Sequence, residues 1–170
     1  MAIEAITAIR QYLTFNLDKE IFAVDVAHVR EIQEASAITK VPRTPEFMRG
    51  VINVRGSVVP VVDMRLKLGM PAVEDTIDTC IIIMEIGLDG DIVVMGALAD
   101  SVQEVFELPP EQIEPVPKIG TQLNTRFIKG IGKHDENFVI ILDIENILST
   151  DEIAMVREGS DVSPEETIFN

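Results

Sequence analysis

The sequence contains few of the residues on which small proteins depend for covalent or metal chemistry. Its 170 residues include no tryptophan, one tyrosine, two histidines and a single cysteine, Cys80. One cysteine excludes a disulfide within the chain and argues strongly against a thiolate metal site. No apolar stretch approaches the roughly 20 residues of a membrane-spanning helix, and the amino terminus lacks the pattern of a signal peptide. These absences favour a protein of the reducing cytoplasm.

Basic charge is also scarce, and it is unevenly distributed. The net charge is −15, with +1 in residues 1–70, −11 in residues 71–150 and −5 in residues 151–170. An acidic surface does not attract the phosphate backbone, so we expect no binding of nucleic acid. We interpret the acidity mainly as a source of solubility.

The sequence is rich in isoleucine and valine, and its apolar residues alternate at the spacing of strands. Hydrophobic residues make up 46% of the chain, while aromatic residues make up only 5%, which favours an aliphatic core built from β-strands. The pairs YLTFNL/IFAVDV and TCIIIMEI/IVVMGALA, each divided by a turn signal, predict two hairpins.

The chain reads as two similar halves. At an offset of 80 residues, Phe47 corresponds to Phe127, Gly50 to Gly130 and Asp63 to Asp143, without a gap. VREIQE has a counterpart in VQEVFE, and VPRTP has one in VPKIG. An internal duplication is the economical explanation.

Each half predicts about five short strands, which must curl into a small barrel to protect their edges. We therefore predict a mostly β fold with two pseudo-symmetric barrels, at residues 10–70 and 76–149, and short helices that include one near the carboxyl terminus. Strands could be exchanged between the barrels. Barrels this small are marginal alone, so they should pack together and share a core. Residues 151–170 are predicted to form an acidic tail, helical or disordered.

Candidate catalytic groups were tested against simpler structural roles. Asp63 and Asp143 could form a protease-like dyad, but each precedes a helical pattern and is better interpreted as a helix N-cap. His28 and His134 lie far apart in sequence, and Cys80 lies within an apolar strand, where it is typical of packing. We predict no catalytic residues, no cofactor and no metal, and hence no enzymatic activity.

The segment NVRGSVVPVVDM predicts a hairpin whose tip carries a cation. Gly56 suits the turn and places Arg55 at its tip, whereas the second half has acidic residues there. Pro60 has no amide hydrogen, so its strand should lie at an edge or carry a bulge.

FMRGVINVRGSVVPVVDMR resembles the signature of the CheW family of chemotaxis coupling proteins, and the resemblance extends over about residues 10–149. It implies two Src-homology-like five-stranded barrels. It also implies a non-catalytic adaptor, recruited to receptor arrays at the inner face of the membrane. Its partners would be the regulatory domain of the chemotaxis histidine kinase and the cytoplasmic tip of methyl-accepting chemoreceptors. A related scaffold of another kinase pathway, for surface motility or gene regulation, is the alternative.

The resemblance also implies a set of partner-binding residues by position: Val29, Glu31, Ile32, Gly50, Arg55, Cys80 and Val105. Arg55 suits a charge-assisted contact with an acidic partner, or alternatively a bracing contact with Glu31. Gly50 is expected to have a structural role, because Gly130 occupies the same place in the second half.

Overall fold

The computed structural model describes residues 9–35, 38–88, 90–115 and 127–147 of the chain. Within these ranges the backbone is almost entirely strand and turn. The strands are β1 (Arg10–Leu17), β2 (Glu20–Asp25), β3 (Val29–Glu34), β4 (Met48–Val54), β5 (Ser57–Asp63), β6 (Cys80–Leu88), β7 (Asp91–Ala99), β8 (Ser101–Leu108), β9 (Ile113–Glu114), β10 (Ile128–His134) and β11 (Asn137–Leu142). The helix α1 (Met64–Lys67) is a single turn, and 3₁₀ turns occur at Val26–His28, Pro110–Gln112 and Ile144–Asn146.

The strands form two sheets with equivalent strand orders. One sheet has the order β8-β1-β2-β11-β10-β9, and the other has the order β3-β6-β7-β5-β4. The sixth strand, β9, has only two residues, and an isolated bridge between Thr39 and Val51 takes its place in the other sheet. The predicted mostly β class with two packed units is confirmed. No helix in the described part of the chain has the length and apolarity needed to span a bilayer.

The two halves exchange their first hairpins. β1 and β2 lie in the sheet formed by β8 to β11, while β6 and β7 lie in the sheet of β3, β4 and β5. Residues 10–70 and 76–149 therefore each contribute strands to both sheets, and the exchange left open by the sequence is present. The predicted tail at 151–170 lies outside the described residues.

A parallel strand pair joins each exchanged hairpin to its sheet. β2 pairs with β11, and β7 pairs with β5. The strand β5 lies inside its sheet, between β7 and β4, so Pro60 does not mark an edge strand. The register shift of the β4–β5 pair lies on β4, between Met48 and Gly50, so the bulge expected at Pro60 as the alternative is wrong as well. Pairing of β5 with β7 begins at Val61. Pro60 comes just before this pairing, so its lack of an N–H group costs no hydrogen bond to β7.

Both faces of each sheet are buried, in three apolar clusters. Between the sheets lies the seam core, which contains Phe15, Phe22, Ile82, Met84 and Met95 among its members. A second cluster fills the concave side of the five-stranded sheet, and a third fills that of the six-stranded sheet. The predicted shared core is present, and side chains from both sheets fill the space between them.

Arg65 connects both exchanged hairpins through one buried guanidinium. Its Nε and Nη2 donate to the two carboxylate oxygens of Asp100, which follows β7, at 2.9 and 2.7 Å. Asp18, in the turn between β1 and β2, lies 3.6 Å from Nη2, and its backbone N–H donates to Asp100 at 2.7 Å. The Arg65 side chain is only 8% exposed, so its charge depends on these partners.

We predict that Gly50→Ala destabilises the protein by about 1–3 kcal/mol. A Cβ at Gly50 would collide with the backbone carbonyl of Thr39, which cannot move without breaking its bridge to Val51. Chemical denaturation measures the change. Gly87→Ala is the matched control, because a Cβ there meets no atom within 4 Å, and equal losses in the two variants would contradict the explanation.

We predict that Asp100→Ala lowers the free energy of unfolding by about 3 kcal/mol, because it leaves the buried charge of Arg65 without its main partner. The variant and the wild type are compared by urea denaturation near neutral pH. A loss below 1 kcal/mol would show that Asp18 and the Pro71 carbonyl, 3.2 Å from Nη1, suffice for Arg65.

The same contact predicts a stability that depends on acid pH. The hydrogen bonds from Arg65 hold the pKa of the Asp100 carboxyl below its ordinary value of 3.8. The contribution of this contact to the free energy of unfolding is thus complete at pH values well above 3.8. It is lost as the pH falls through the lower pKa that Asp100 has in the folded protein. Asp100→Asn should therefore show a shallower loss of stability on acidification below about pH 4, measured as Tm against pH. Parallel profiles would contradict this assignment.

Candidate partner-binding site

The two sheets present equivalent edge strands to solvent. β3 lies at one end of the five-stranded sheet, and β8 lies at one end of the six-stranded sheet. Each contains a register shift at the corresponding place. In β3 the shift lies opposite Ile83 and Met84 of β6, and in β8 it lies opposite Leu13 and Phe15 of β1. Such edges are open to pairing or packing by another chain.

Ile32 and Val105 occupy the same position on these two edge strands. Ile32 lies opposite Ile82, and Val105 lies opposite Leu13; both of these partners belong to the seam core. Because paired residues share one face of a sheet, Ile32 and Val105 extend the seam core outward. They are 44% and 52% exposed, so each sheet offers an apolar contact where the seam meets solvent.

Val29 and Cys80 lie next to Ile32 but are less accessible. Both are partly buried and pack against the seam core. Burial raises the pKa of the Cys80 thiol, so the thiolate that reactive cysteines require is disfavoured.

Arg55 stands at the tip of the β4–β5 hairpin and contacts Glu31 on β3. Arg55 and Gly56 have φ values of 52° and 88°, as a tight two-residue hairpin turn requires, and the Asn53 side chain accepts the N–H of Gly56 at 2.8 Å. Nε of Arg55 lies 3.5 Å from the Glu31 carboxylate, yet the Arg55 side chain is 84% exposed. An ion pair this exposed contributes at most about 1 kcal/mol, so the guanidinium remains available to a partner.

Gly50 has a structural position in the backbone of β4. It is buried, and the register of β4 against β5 shifts between Met48 and Gly50. The same shift recurs between Ile128 and Gly130. Close backbone approach excludes a side chain at Gly50, in line with the structural role expected from the duplication.

The two aspartates proposed as helix caps differ. The Asp63 carboxylate accepts the N–H groups of Arg65 and Leu66 at 3.0 and 3.4 Å, so this cap is confirmed. The expected cap at Asp143 is wrong: its carboxylate instead accepts the side-chain amide of Asn146 at 2.8 Å. Ile144–Asn146 form a 3₁₀ turn there, and the two carboxylates have separate partners rather than a shared proton.

Sequence reasoning did not single out Arg65 or Asp100, although together they fix the exchanged hairpins. One signal was available: Glu145 stands 80 residues after Arg65, so the duplicated position carries opposite charges in the two halves. The burial of Arg65 could not be inferred from the local pattern.

Residues 11–152 match the family of the CheW-like domain. The chain belongs to the CheW-like family. The chemotaxis protein CheW of Klebsiella aerogenes is 35% identical over 147 residues, which is 86% of this chain and 86% of that protein. The chemotaxis protein CheW of Thermotoga maritima is 32% identical over 152 residues and covers 88% of this chain and 92% of that protein.

A solved structure of the CheW-like family shares the fold. The crystal structure of the scaffolding protein TtCheW from Thermoanaerobacter tengcongensis superimposes with a TM-score of 0.74 at 34% sequence identity. The alignment covers 84% of this chain and 94% of that chain. The paired sheets are therefore an architecture found in a CheW-like scaffolding protein.

We predict that Ile32→Ser and Val105→Ser change the free energy of unfolding by less than about 0.5 kcal/mol each, as is usual for exposed positions. Ile82→Ser, opposite Ile32 in the seam core and fully buried, should cost about 3 kcal/mol or more. Urea denaturation compares the three variants. A large loss at either exposed position would place that side chain in the core rather than on a contact surface.

Proposed function

We propose that this protein is a non-catalytic adaptor that couples methyl-accepting chemoreceptors to the chemotaxis histidine kinase. It would bind the cytoplasmic tip of the receptors and the regulatory domain of the kinase, at the inner face of the membrane. Membership of the CheW-like family supports this, as do the names of its relatives, which are chemotaxis and scaffolding proteins. The carrying observation is that the edge strand β3 exposes Ile32 on its seam face and holds Glu31, paired with the tip residue Arg55, on its other face.

The receptor contact would use the apolar edges of the seam. A receptor tip is a helical hairpin, and helices dock by placing apolar side chains against an apolar surface. Ile32 supplies such a surface, and the partly buried Val29 and Cys80 pack against the same seam core. The open edge of β3 leaves room for a helix beside it.

Arg55 would help to orient the partner in this contact. A guanidinium forms forked hydrogen bonds with carboxylates, and only Glu31 shares it in the described part of the chain. An acidic side chain on the partner can replace or join Glu31 without unfolding anything. The bracing alternative for Arg55 is disfavoured by its 84% exposure.

The kinase contact would join barrel to barrel. A regulatory domain of the same architecture offers equivalent sheet ends, and an interface of the order of 1,000 Å² is at the small end of specific contacts. An interface of that size is reversible, as a relay of receptor state requires. The edge strand equivalent to β3 is β8, and its exposed Val105 offers a second surface of the same form for this contact.

We predict that Arg55→Glu abolishes receptor-dependent kinase activation while the thermal transition stays nearly unchanged. The assay combines receptor-bearing membranes, kinase and adaptor, and measures co-sedimentation and kinase activity. Arg10→Glu is the matched control, since Arg10 is also an exposed arginine, 52% accessible, paired with a single carboxylate, Asp25, at 3.2 Å. It should retain activation.

Three outcomes would contradict parts of this proposal. A large drop in Tm for Arg55→Glu would make Arg55 a bracing residue. Full activation by the variant would exclude Arg55 from the contact. Failure of the wild-type protein to bind a chemotaxis kinase regulatory domain, with binding to the corresponding domain of another pathway, would favour the motility or gene-regulation scaffold.

A further inference from the structure

The second hairpin tip gathers an imidazole and two carboxylates from separate segments. Nε2 of His134, at the end of β10, lies 3.1 Å from the Glu104 carboxylate on β8 and 3.4 Å from the carboxylate of Asp135 in the following turn. One ligand atom from each of the three residues lies within 4.8 Å of the other two. Neither the duplication nor the proposed adaptor role accounts for this grouping.

Comparison of the two tips shows that the second one has no arginine at the position equivalent to Arg55. In the first half, Glu31 on the edge strand faces the guanidinium of Arg55. In the second half, Glu104 takes the place of Glu31, but Asp135 stands 80 residues after Arg55. The positive partner of the glutamate has thus been replaced by a second carboxylate, and a bound cation would restore the missing charge.

We propose that Glu104, His134 and Asp135 form a binding site for a divalent transition-metal ion such as Zn²⁺. An imidazole nitrogen and carboxylate oxygens are ligands that Zn²⁺, Co²⁺ and Ni²⁺ accept, whereas Mg²⁺ prefers oxygen alone. Zinc bonds of 2.0–2.2 Å in a tetrahedron place neighbouring ligand atoms about 3.3–3.6 Å apart. The separations of 3.1 and 3.4 Å from Nε2 are close to this range.

The hydrogen-bonding capacity of the ring supports a metal more than a network of hydrogen bonds. A neutral imidazole carries one N–H and can donate Nε2–H to only one of the two carboxylates. The other carboxylate is then left to solvent, since the Glu104 and Asp135 side chains are 57% and 83% exposed. A metal ion held by Nε2 contacts both carboxylates at once.

The His134 ring and the backbone of Glu104 are held in place before any ion arrives. The hydroxyl of Thr14, a buried residue, accepts the backbone N–H of Glu104 at 3.1 Å and donates to its carbonyl at 2.8 Å, which fixes the register shift in β8. The Phe106 ring lies against the His134 imidazole, with centroids 3.9 Å apart. Ordering these groups in advance lowers the entropy cost of binding.

The surroundings of the cluster favour a cation and leave it accessible. A groove of about 500 Å³ beside His134 is lined by four carboxylates and one ammonium group, those of Glu111, Glu114, Asp135, Glu136 and Lys133. Three protein ligands leave a coordination position for water or for a side chain of another protein. The site therefore lies on the protein surface, at the tip of the β10–β11 hairpin. The carboxylates of this tip contrast with the positive charge of Arg55 at the β4–β5 tip.

The test is a calorimetric titration of tag-free protein with ZnCl₂ near neutral pH, with MgCl₂ as the comparison. The wild type should show one saturable zinc site, and His134→Ala should weaken it more than about tenfold, since even changes beside a ligand cost 10- to 100-fold. Asp135→Asn should weaken it as well. Affinity should fall on acidification, because protons compete for the imidazole nitrogen.

His28→Ala is the matched control for the loss of an imidazole. His28 is the other histidine, and within the described residues its Nε2 lies 3.9 Å from the carboxylate of Glu145; its removal should leave zinc affinity unchanged. Cys80→Ser should also bind as the wild type does. CoCl₂ added to either variant should give a visible spectrum without a thiolate charge-transfer band.

Several results would overturn the site. They are the absence of saturable zinc binding in the wild type, unchanged affinity in His134→Ala, equal saturable binding of MgCl₂, and loss of binding in His28→Ala or Cys80→Ser. Because His134→Ala also removes a ring packed on Phe106, its fold is checked by circular dichroism. Asp135 is 83% exposed, so Asp135→Asn tests the same ligand set without disturbing packing, and unchanged affinity in that variant would also count against the site.

Discussion

The buried guanidinium of Arg65 joins the two hairpins that the halves of the chain exchange. It holds Asp100 at the end of one hairpin and lies near Asp18 in the turn of the other. A buried charge is costly when unpaired, so the position of each hairpin is tied to that of the other. The seam core between the two sheets contains side chains from both hairpins, such as Phe15, Phe22, Met84 and Met95. The exposed surfaces on β3 and β8, and the hairpin tips beside them, depend on that arrangement.

Exchange gives each sheet strands from both halves of the chain, while the exposed side chains of the two sheets differ. The edge strands β3 and β8 have the same register shift and the same exposed apolar position, yet the tips beside them carry opposite charges. The duplicated backbone conserves packing, and the exposed side chains diverge because nothing in the core restricts them. The two edges of one molecule thus have the same backbone form but different side chains, so each can suit a different partner.

Much of the fold follows from local patterns in the sequence. The alternation of apolar residues placed the strands, and Arg55-Gly56 marked a hairpin tip with the positive φ angles that such a turn requires. The Asp63 cap was also readable, because an aspartate before a helical turn satisfies free N–H groups. The same reasoning failed at Asp143, where the following turn is too short and the Asn146 side chain takes the carboxylate.

The candidate site was predictable only in part, because its contacts cross the chain. Resemblance to the family indicated Ile32, Val105 and Arg55 by position, and the structure shows that these side chains are exposed. It could not indicate that Arg65 meets Asp100, 35 residues away. Nor could it indicate that His134 meets Glu104, because that contact needs β8 and β10 to approach across the open side of a curled sheet.

The sequence by itself determined the strands, the turns and the duplication, since these depend on side-chain alternation and backbone angles within a few residues. Only the tertiary structure decided which half each hairpin joins. Equivalent strands in both halves satisfy the same pairing pattern, so local sequence cannot distinguish exchange from its absence. The single copy of the Arg65 contact, where the other half has Glu145, ties the exchanged hairpins together, and that contact exists only in the folded chain.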